Sequence, residues 1–257
     1  MTARSAAGVW CAGIGVTALV FLATTSLVTK TAAQGAAPDY AALIAAPDRS
    51  DADRQADKRR DPVPFLKFAG LRPGMKVLDM GAGAGYSTEL DARAVAPNGT
   101  VYGQNPPDFG ERGKAAFAAR LATPAMKNAV SVQRPFDDPA PPEVQNLDVI
   151  TFLFFYHDTT YMQVDRAQMD KKLLAALKPG GLLILCDHAA MAGADISVGK
   201  TLHRIDEAVV RRELEAAGFK LIAEGDFWKH PEDARDFTTQ RPTGPVNEFE
   251  LKFQRPM

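Results

Sequence analysis

Histidines that lie close to carboxylates are the residues of this chain best suited to chemistry. Three of the four histidines in the 257-residue sequence fall in the segments Tyr156–Asp158, Asp187-His188 and Leu202–Asp206. An imidazole exchanges protons near neutral pH, and a neighbouring carboxylate fixes its tautomer. The segments therefore predict an acid–base site in which His157 is the general base and an adjacent aspartate orients it. The catalytic candidates are Tyr156, His157, Asp158, His188 and His203.

The same side chains are also ligands that zinc and other transition metals prefer. Their separation along the chain contains no ligand spacing typical of a metal site. We therefore expect a catalytic site without a metal ion, and metal-assisted chemistry by the histidine and aspartate residues is kept as an alternative.

A glycine-rich segment predicts a ligand-binding loop. Asp79-Met-Gly81-Ala-Gly83-Ala-Gly85 follows an apolar run, and glycines at such a point let the backbone approach a ligand outside a strand's carboxyl end. The spacing differs from that of a dinucleotide-binding loop, because Tyr86 takes the place of the third glycine. A nicotinamide-dependent oxidoreductase is therefore the least favoured interpretation.

The elements that position these residues alternate between apolar strands and amphipathic helices. This alternation predicts an α/β fold with a Rossmann-like, seven-stranded and mostly parallel sheet, helices on both faces and an antiparallel last strand. The helices nearest the histidines are expected at Asp165–Leu177 and from Asp206 to Ala217. The predicted strands are Val77–Asp79, Thr100–Gly103, Ala129–Val132, Leu147–Phe154, Gly181–Asp187, Phe219–Glu224 and Glu248–Gln254.

The chain divides by composition into three parts. Residues 1–37 contain a charge-free stretch from Ala6 to Thr29 and predict a signal peptide or an N-terminal membrane anchor, and hence an exported, periplasmic protein. Residues 38–70 predict a helical cap segment, and residues 71–257 the main domain. The formal net charge of −1 argues against a nucleic-acid partner, and contact with a membrane is expected only through an uncleaved N-terminal segment. The sequence carries no signal for an oligomeric state.

The D-x-G-x-G-x-G loop resembles motif I of the class I S-adenosylmethionine-dependent methyltransferases. The resemblance runs from about Arg72 to Gln254. It is greatest to a family of predicted exported bacterial methyltransferases that carry Y-H-D, D-H and L-H-R-I-D segments, found here at Tyr156–Asp158, Asp187-His188 and Leu202–Asp206. It implies S-adenosylmethionine as cofactor and methyl transfer to a hydroxyl, amine or thiol of a small-molecule substrate.

The resemblance also implies which residues bind the cofactor. The loop would contact its methionine part, and an aspartate after the third strand would approach its adenine. In place of the acid that usually grips the ribose hydroxyls, this chain has an amide at Gln104, which lacks charge assistance. A catalytically inactive binding module with this fold is therefore a second interpretation. The expected cofactor-binding residues are Asp79, Gly81, Ala82, Gly83, Gly85, Gln104, Asp137 and Asp138.

Overall fold

The computed structural model describes residues 1–3, 8 and 35–257. The predicted signal peptide or anchor lies almost wholly outside the described residues. The chain separates into two compact units, Met1–Ala33 and Gln34–Met257, and every helix and strand below belongs to the second unit. Within the described part, no helix combines the length and the apolar character that crossing a membrane requires.

A seven-stranded sheet with the order β3-β2-β1-β4-β5-β7-β6 forms the centre of this unit. The first five strands are parallel, whereas β7 runs antiparallel to both β5 and β6. The predicted sheet, with its reversed last strand, is confirmed. The strands are β1 (Lys76–Met80), β2 (Thr100–Asn105), β3 (Ala129–Gln133), β4 (Leu147–Leu153), β5 (Leu177–His188), β6 (Lys220–Glu224) and β7 (Glu248–Gln254).

Helices cover both faces of the sheet, and each face has its own apolar core. Successive residues of a strand point to opposite faces, so that Leu183 and Leu185 of β5 join one core while Ile184 joins the other. This explains why the segment Leu182–Cys186 of the central strand β5 is apolar in every position. The helices are α1 (Tyr40–Ile44), α2 (Asp51–Arg60), α3 (Pro62–Ala69), α4 (Tyr86–Val95), α5 (Glu111–Leu121), α6 (Arg166–Ala176), α7 (Val198–Leu202) and α8 (Glu207–Ala217).

The charged helix α2 is tied to the main domain by ion pairs rather than being free in solvent. Arg120 of α5 donates to Asp53 of α2 at 2.8 and 2.9 Å and to Glu89 of α4 at 2.5 Å. Its Nε also donates to the carbonyl of Ala84, inside the glycine loop, at 2.9 Å. One guanidinium thus connects the N-terminal helices to the predicted ligand loop.

Two strand boundaries differ from prediction by two residues or more. The segment Lys178–Gly180, predicted to lie before the strand that starts at Gly181, continues β5 back to Leu177, with an irregular register against β4 between Leu147 and Val149. The second strand extends two residues beyond Gly103, to Asn105. This longer strand brings Asn105 to the carboxyl edge of the sheet, beside the glycine loop.

Candidate active site

The three glycines of the loop between β1 and α4 all have positive φ, at 65°, 56° and 86° for Gly81, Gly83 and Gly85. A Cβ on Gly81 would lie 3.2 Å from the Phe155 ring, and one on Gly85 would lie 2.8 Å from Phe117. A Cβ on Gly83 would meet only the Gly81 carbonyl, at 3.9 Å. Gly81 and Gly85 are therefore required by packing, whereas Gly83 faces open space where a ligand can approach.

Asp79 holds the loop to helix α4. It is buried, and its carboxylate accepts hydrogen bonds from Ser87 at 2.8 Å, Thr88 at 2.7 Å and Thr151 at 3.2 Å. Asp91 is buried beside it, with its Oδ2 3.1 Å from Thr151 Oγ1. Burial and the Asp79 charge raise the pKa of Asp91 well above its usual range, so the proton of this pair resides on Asp91. The observed contacts of Asp79 are structural, and a direct cofactor contact stays a prediction.

The two amides at the end of β2 also hold the loop. Gln104 accepts from the Gly81 N–H at 3.0 Å and donates to the Arg134 carbonyl at 2.6 Å, while the Ala82 N–H donates to the Gln104 carbonyl at 2.8 Å. Because Gln104 is fully buried and bonded at both ends of its amide, it is not placed to bind ribose hydroxyls. This corrects the prediction for Gln104.

Asn105 was missed by the sequence analysis. Its amide accepts from the Gly83 N–H at 2.8 Å and donates to the Gly83 carbonyl at 3.0 Å. It is the last residue of β2, so it takes the strand-end position that had been assigned to Gln104. The sequence holds one clue to Asn105. Gln104 and Asn105 are two consecutive polar residues, and either of them can end the strand.

Asp137 and Asp138 follow β3, as predicted. The carboxylate of Asp138 pairs with Arg134 and lies 3.2 Å from the Lys172 ammonium. For Asp137, the backbone carbonyl accepts from Gln168 at 3.1 Å. Phe136, just before them, stacks on Phe155 with 5.0 Å between ring centroids, and Phe155 in turn packs on Gly81. An approach of either aspartate to adenine stays a prediction.

His157 lies between two aspartates directly after β4. Its Nδ1 is 2.7 Å from Asp187 Oδ1, and its Nε2 is 3.1 Å from Asp158 Oδ1. Burial by itself would lower the pKa of His157, but Asp187 and Asp158 outweigh it and raise the pKa to about 10. An imidazolium with both nitrogens directed at carboxylates does not accept a proton at neutral pH. The structure therefore argues against His157 as the general base.

His203 completes the cluster from a loop that is distant in sequence. Its Nδ1 is 3.0 Å from Asp158 Oδ1, which also accepts from the Tyr161 hydroxyl at 2.5 Å. The rings of His157 and His203 stand edge to face with their centroids 5.4 Å apart. Among the described residues, His157, Asp158 and His203 are also a group whose ligand atoms are close enough to hold one metal ion.

His188 faces a cavity beside this cluster. Its ring stacks on Phe154 at 4.9 Å, and its Nδ1 is 3.1 Å from Glu248 Oε1, although without hydrogen-bond geometry. The cavity has a volume of about 350 Å³. It lies between the end of α2, the ends of β4 and β5, and the segment before β7. Its walls include Arg59, Arg60, Phe154, His188, Trp228 and Glu248.

Arg60 and Trp228 give this cavity polar and aromatic walls. The Arg60 guanidinium lies over the Tyr86 ring at 4.7 Å and over Phe154 at 5.9 Å. Within residues 35–257 it has no carboxylate at ion-pair distance, and the buried indole N–H of Trp228 has no acceptor. The cavity is therefore suited to a ligand with an aromatic or apolar body and an anionic group.

Tyr156 does not belong to this site. Its side chain is fully buried, and its hydroxyl oxygen lies within hydrogen-bond distance of Asp170, at 3.0 Å, and of Glu213, at 2.9 Å, in the core packed against α6 and α8. This corrects the prediction that Tyr156 is a catalytic residue. Sequence adjacency to His157 was misleading because the chain turns after β4 and directs the two side chains to different surroundings.

The similarity of this chain to known proteins includes the glycine loop. The sequence model of the protein-L-isoaspartate(D-aspartate) O-methyltransferase family matches residues 63–106, which contain β1, the glycine loop, α4 and β2. The ubiquinone/menaquinone biosynthesis C-methyltransferase UbiE of Shewanella sp. (strain W3-18-1) is 25% identical over 173 residues. These residues are 65% of this chain and 64% of that protein, so the match spans less than two thirds of the relative.

Solved structures share the fold. A S-adenosylmethionine-dependent methyltransferase from Aquifex aeolicus superposes with a TM-score of 0.56 and 19% identity, over 80% of this chain and 99% of that one. The [4+2]-cyclase SpnF superposes with a TM-score of 0.57 and 15% identity, over 80% and 81%. The sheet order and these similarities show that the chain has the fold of the class I S-adenosylmethionine-dependent methyltransferases. The cyclase shows that the fold alone does not fix the reaction.

Proposed function

We propose that the protein transfers the methyl group of S-adenosylmethionine to a hydroxyl, amine or thiol of a small-molecule acceptor. The observation that carries this proposal is the glycine loop after β1, where Gly83 faces open space and Asn105 holds both of its backbone polar groups. Backbone at the carboxyl edge of an open α/β sheet is where such folds bind ligands. The names of the matched family and of the curated relative describe methyl transfer as well.

Different residues at the loop bind the cofactor and hold the loop in place. We assign Gly83, and the backbone around it, to the methionine part of the cofactor. Asp79 and Gln104 act indirectly, because their side chains hold the loop from behind. Asn105 is the strand-end residue available to contact the ribose once a ligand displaces its bonds to Gly83.

The acceptor is proposed to bind in the cavity between Arg60 and His188. Methyl transfer from a sulfonium is an in-line displacement, so the protein chiefly aligns the two reactants and excludes water. In the reaction the S–CH₃ bond breaks, a bond from the acceptor atom to carbon forms, and the acceptor loses a proton. The cluster of Asp158 and His203 next to this cavity is the group assigned to that proton, in place of His157.

Turnover tests this assignment. The full chain is incubated with methyl-labelled S-adenosylmethionine and a panel of small hydroxyl, amine and thiol compounds that includes aromatic carboxylates. We expect label in a small molecule together with stoichiometric S-adenosylhomocysteine. His203→Asn should lower the rate by about 10²-fold or more, as for loss of a proton-transfer group. Arg112→Ala, an exposed change on α5, is the matched control and should keep the rate.

A catalytically inactive binding module is the second candidate. It is favoured by the amides Gln104 and Asn105 at the end of β2, where the class usually has a charged group. Such a module would bind S-adenosylmethionine without forming S-adenosylhomocysteine with any acceptor in the panel. That result would contradict the proposed methyl transfer.

We also propose that the protein is exported and acts in the periplasm. The support is the charge-free stretch from Ala6 to Thr29, which is typical of a signal peptide or a membrane anchor. Mass measurement of the protein recovered from the periplasm tests this, since an intact chain found only in the cytoplasm would contradict it.

A further inference from the structure

His157, Asp158 and His203 are spaced like ligands around a single metal ion. One ligand atom from each lies within 4.8 Å of the other two. Asp158 Oδ1 is 3.1 Å from His157 Nε2 and 3.0 Å from His203 Nδ1. In a tetrahedral zinc site with bonds of about 2.0–2.1 Å, adjacent ligand atoms are about 3.3 Å apart. The three side chains therefore need only small movements to coordinate an ion.

His157 has the support that metal-binding histidines usually have. Its Nδ1 is 2.7 Å from Asp187 Oδ1, and its backbone N–H donates to Asp187 Oδ2 at 2.8 Å. Asp187 is fully buried. A histidine that binds a metal through one nitrogen commonly donates the other ring N–H to a carboxylate, which fixes the tautomer and the ring orientation. With Asp187 on Nδ1, the remaining nitrogen of His157 is directed at Asp158 and His203.

The other two side chains are also held in place. The Tyr161 hydroxyl donates to Asp158 Oδ1 at 2.5 Å. His203 has a φ of 52°, in the left-handed region that non-glycine residues rarely adopt, and Thr239 donates to its carbonyl at 3.2 Å. Such a conformation persists where the surroundings enforce it, and it is common at functional sites. The backbone strain at His203 is accounted for if its imidazole must reach the cluster.

The cluster is open on one side. The side chains of Asp158 and His203 are 16% and 15% exposed, whereas that of His157 is 3% exposed. Catalytic zinc sites have three protein ligands and leave a fourth position for water or substrate. Two imidazoles and one carboxylate match zinc rather than magnesium or calcium, which prefer oxygen ligands. We propose that His157, Asp158 and His203 form a binding site for Zn²⁺, with Asp187 as the support of His157.

The role of the ion rests on the proposed function, although the site itself does not. An acceptor hydroxyl, amine or thiol in the open position would become more acidic on binding zinc. Its proton leaves to solvent, the freed electron pair attacks the methyl carbon, and the S–CH₃ bond breaks to release S-adenosylhomocysteine. With zinc bound, Asp158 and His203 would act as its ligands and would no longer be needed to accept the proton of the acceptor.

Titration with zinc alone tests the site. The full chain, treated with a chelator and exchanged into metal-free buffer, is titrated with ZnCl₂ by calorimetry, and with CoCl₂ while the visible absorption is followed. We expect one ion per chain and the absorption bands of tetrahedral or five-coordinate cobalt. Asp187→Asn should weaken zinc binding by about 10–100-fold, as for loss of a supporting carboxylate, and His203→Asn should weaken it further.

His230→Asn is the matched control, because the His230 side chain is 44% exposed, its ring pairs with Glu232 and it lies outside the cluster. It should leave the zinc affinity unchanged. The cobalt spectrum of the unmodified chain needs no variant, so it remains informative if a substitution prevents folding. The proposal is overturned if the unmodified chain does not bind zinc saturably, or if His203→Asn binds as tightly as the control. Binding of S-adenosylmethionine by the same preparation reports separately on the proposed function.

Discussion

Two consecutive amides at the end of β2, Gln104 and Asn105, hold the glycine loop through different contacts. The sequence contains both amides in succession, and only the strand's true length decides which one ends it. Gln104 is buried beneath the loop, whereas Asn105 bonds to Gly83 at its rim. The loop could be predicted because glycine spacing is a local property. The roles of the amides depend on tertiary contacts with Gly81, Gly83 and Arg134.

Replacing Gln104 with glutamate tests the role we give to this amide. If the side chain at position 104 faced the cofactor, the new carboxylate would bind the ribose hydroxyls and strengthen the binding of S-adenosylmethionine. In this structure the new carboxylate would instead face the Arg134 carbonyl, now 2.6 Å from the Gln104 amide nitrogen, inside a fully buried site. We therefore expect Gln104→Glu to lower the free energy of unfolding by about 3 kcal/mol or more, measured by urea denaturation.

Gln133→Glu on β3 is the matched control, since Gln133 is exposed. Its effect should stay within about 0.5 kcal/mol. A Gln104→Glu protein that is as stable as this control and binds S-adenosylmethionine more tightly would show that Gln104 faces the cofactor.

At the scale of the elements, the antiparallel pairing of β5 with β7 buries an acid that the sequence does not mark. Glu250 lies opposite Cys186 in this pairing, and within residues 35–257 neither of its buried carboxylate oxygens makes a hydrogen bond of good geometry. The bounds of β7 agree with the predicted strand Glu248–Gln254. The acid is buried because β7 is covered by the Gly225–Trp228 segment, a contact that no local pattern encodes.

A pH dependence follows from Glu250. Burial and the nearby Glu248 charge raise its pKa to about 7 from an ordinary value of 4.5. A raised folded-state pKa means that the neutral acid favours the folded chain. The contribution of neutral Glu250 to the free energy of unfolding is complete below about pH 4.5, and it is lost as the pH rises through 7. We expect Glu250→Gln to remove this loss, so that between pH 5 and 8 the stability of the variant relative to the unmodified chain rises by roughly 2 kcal/mol.

Urea denaturation at several pH values measures this difference. Glu143→Gln, a change at an exposed loop position, is the control and should show the same pH profile as the unmodified chain. Parallel profiles for Glu250→Gln and the unmodified chain would mean that Glu250 is charged and solvated in the folded protein. The other buried acids are common to both proteins and cancel in the comparison.

At the scale of the whole molecule, the sheet was predictable and the pairing within the site was not. Apolar runs separated by helical patterns determine the strand sequence, and the reversed β7 follows from the absence of a strongly periodic helix before it. His188 ends β5, His157 lies in the turn after β4, and His203 follows α7. Their partners were harder to assign, because Asp187 reaches His157 across 30 positions and His203 reaches Asp158 across 45. Arg60 and Trp228 gave no sequence signal of their own, although the fold brings both to one cavity.

Calorimetric titration of the full chain with S-adenosylmethionine shows whether this molecule binds the cofactor. We expect saturable binding of S-adenosylmethionine and none of NADH. Gly83→Arg should abolish binding, because the added side chain would enter the space that the loop leaves for the cofactor. Gly74→Arg is the matched control, since Gly74 has a φ of 89° and would likewise place its Cβ in open space, but lies outside the loop.

We expect the Gly74→Arg chain to bind S-adenosylmethionine like the unmodified chain. We expect no binding by the Gly83→Arg chain. If the unmodified chain gives no heat of binding at protein concentrations near a millimolar, or if both variants bind equally well, the cofactor assignment is contradicted.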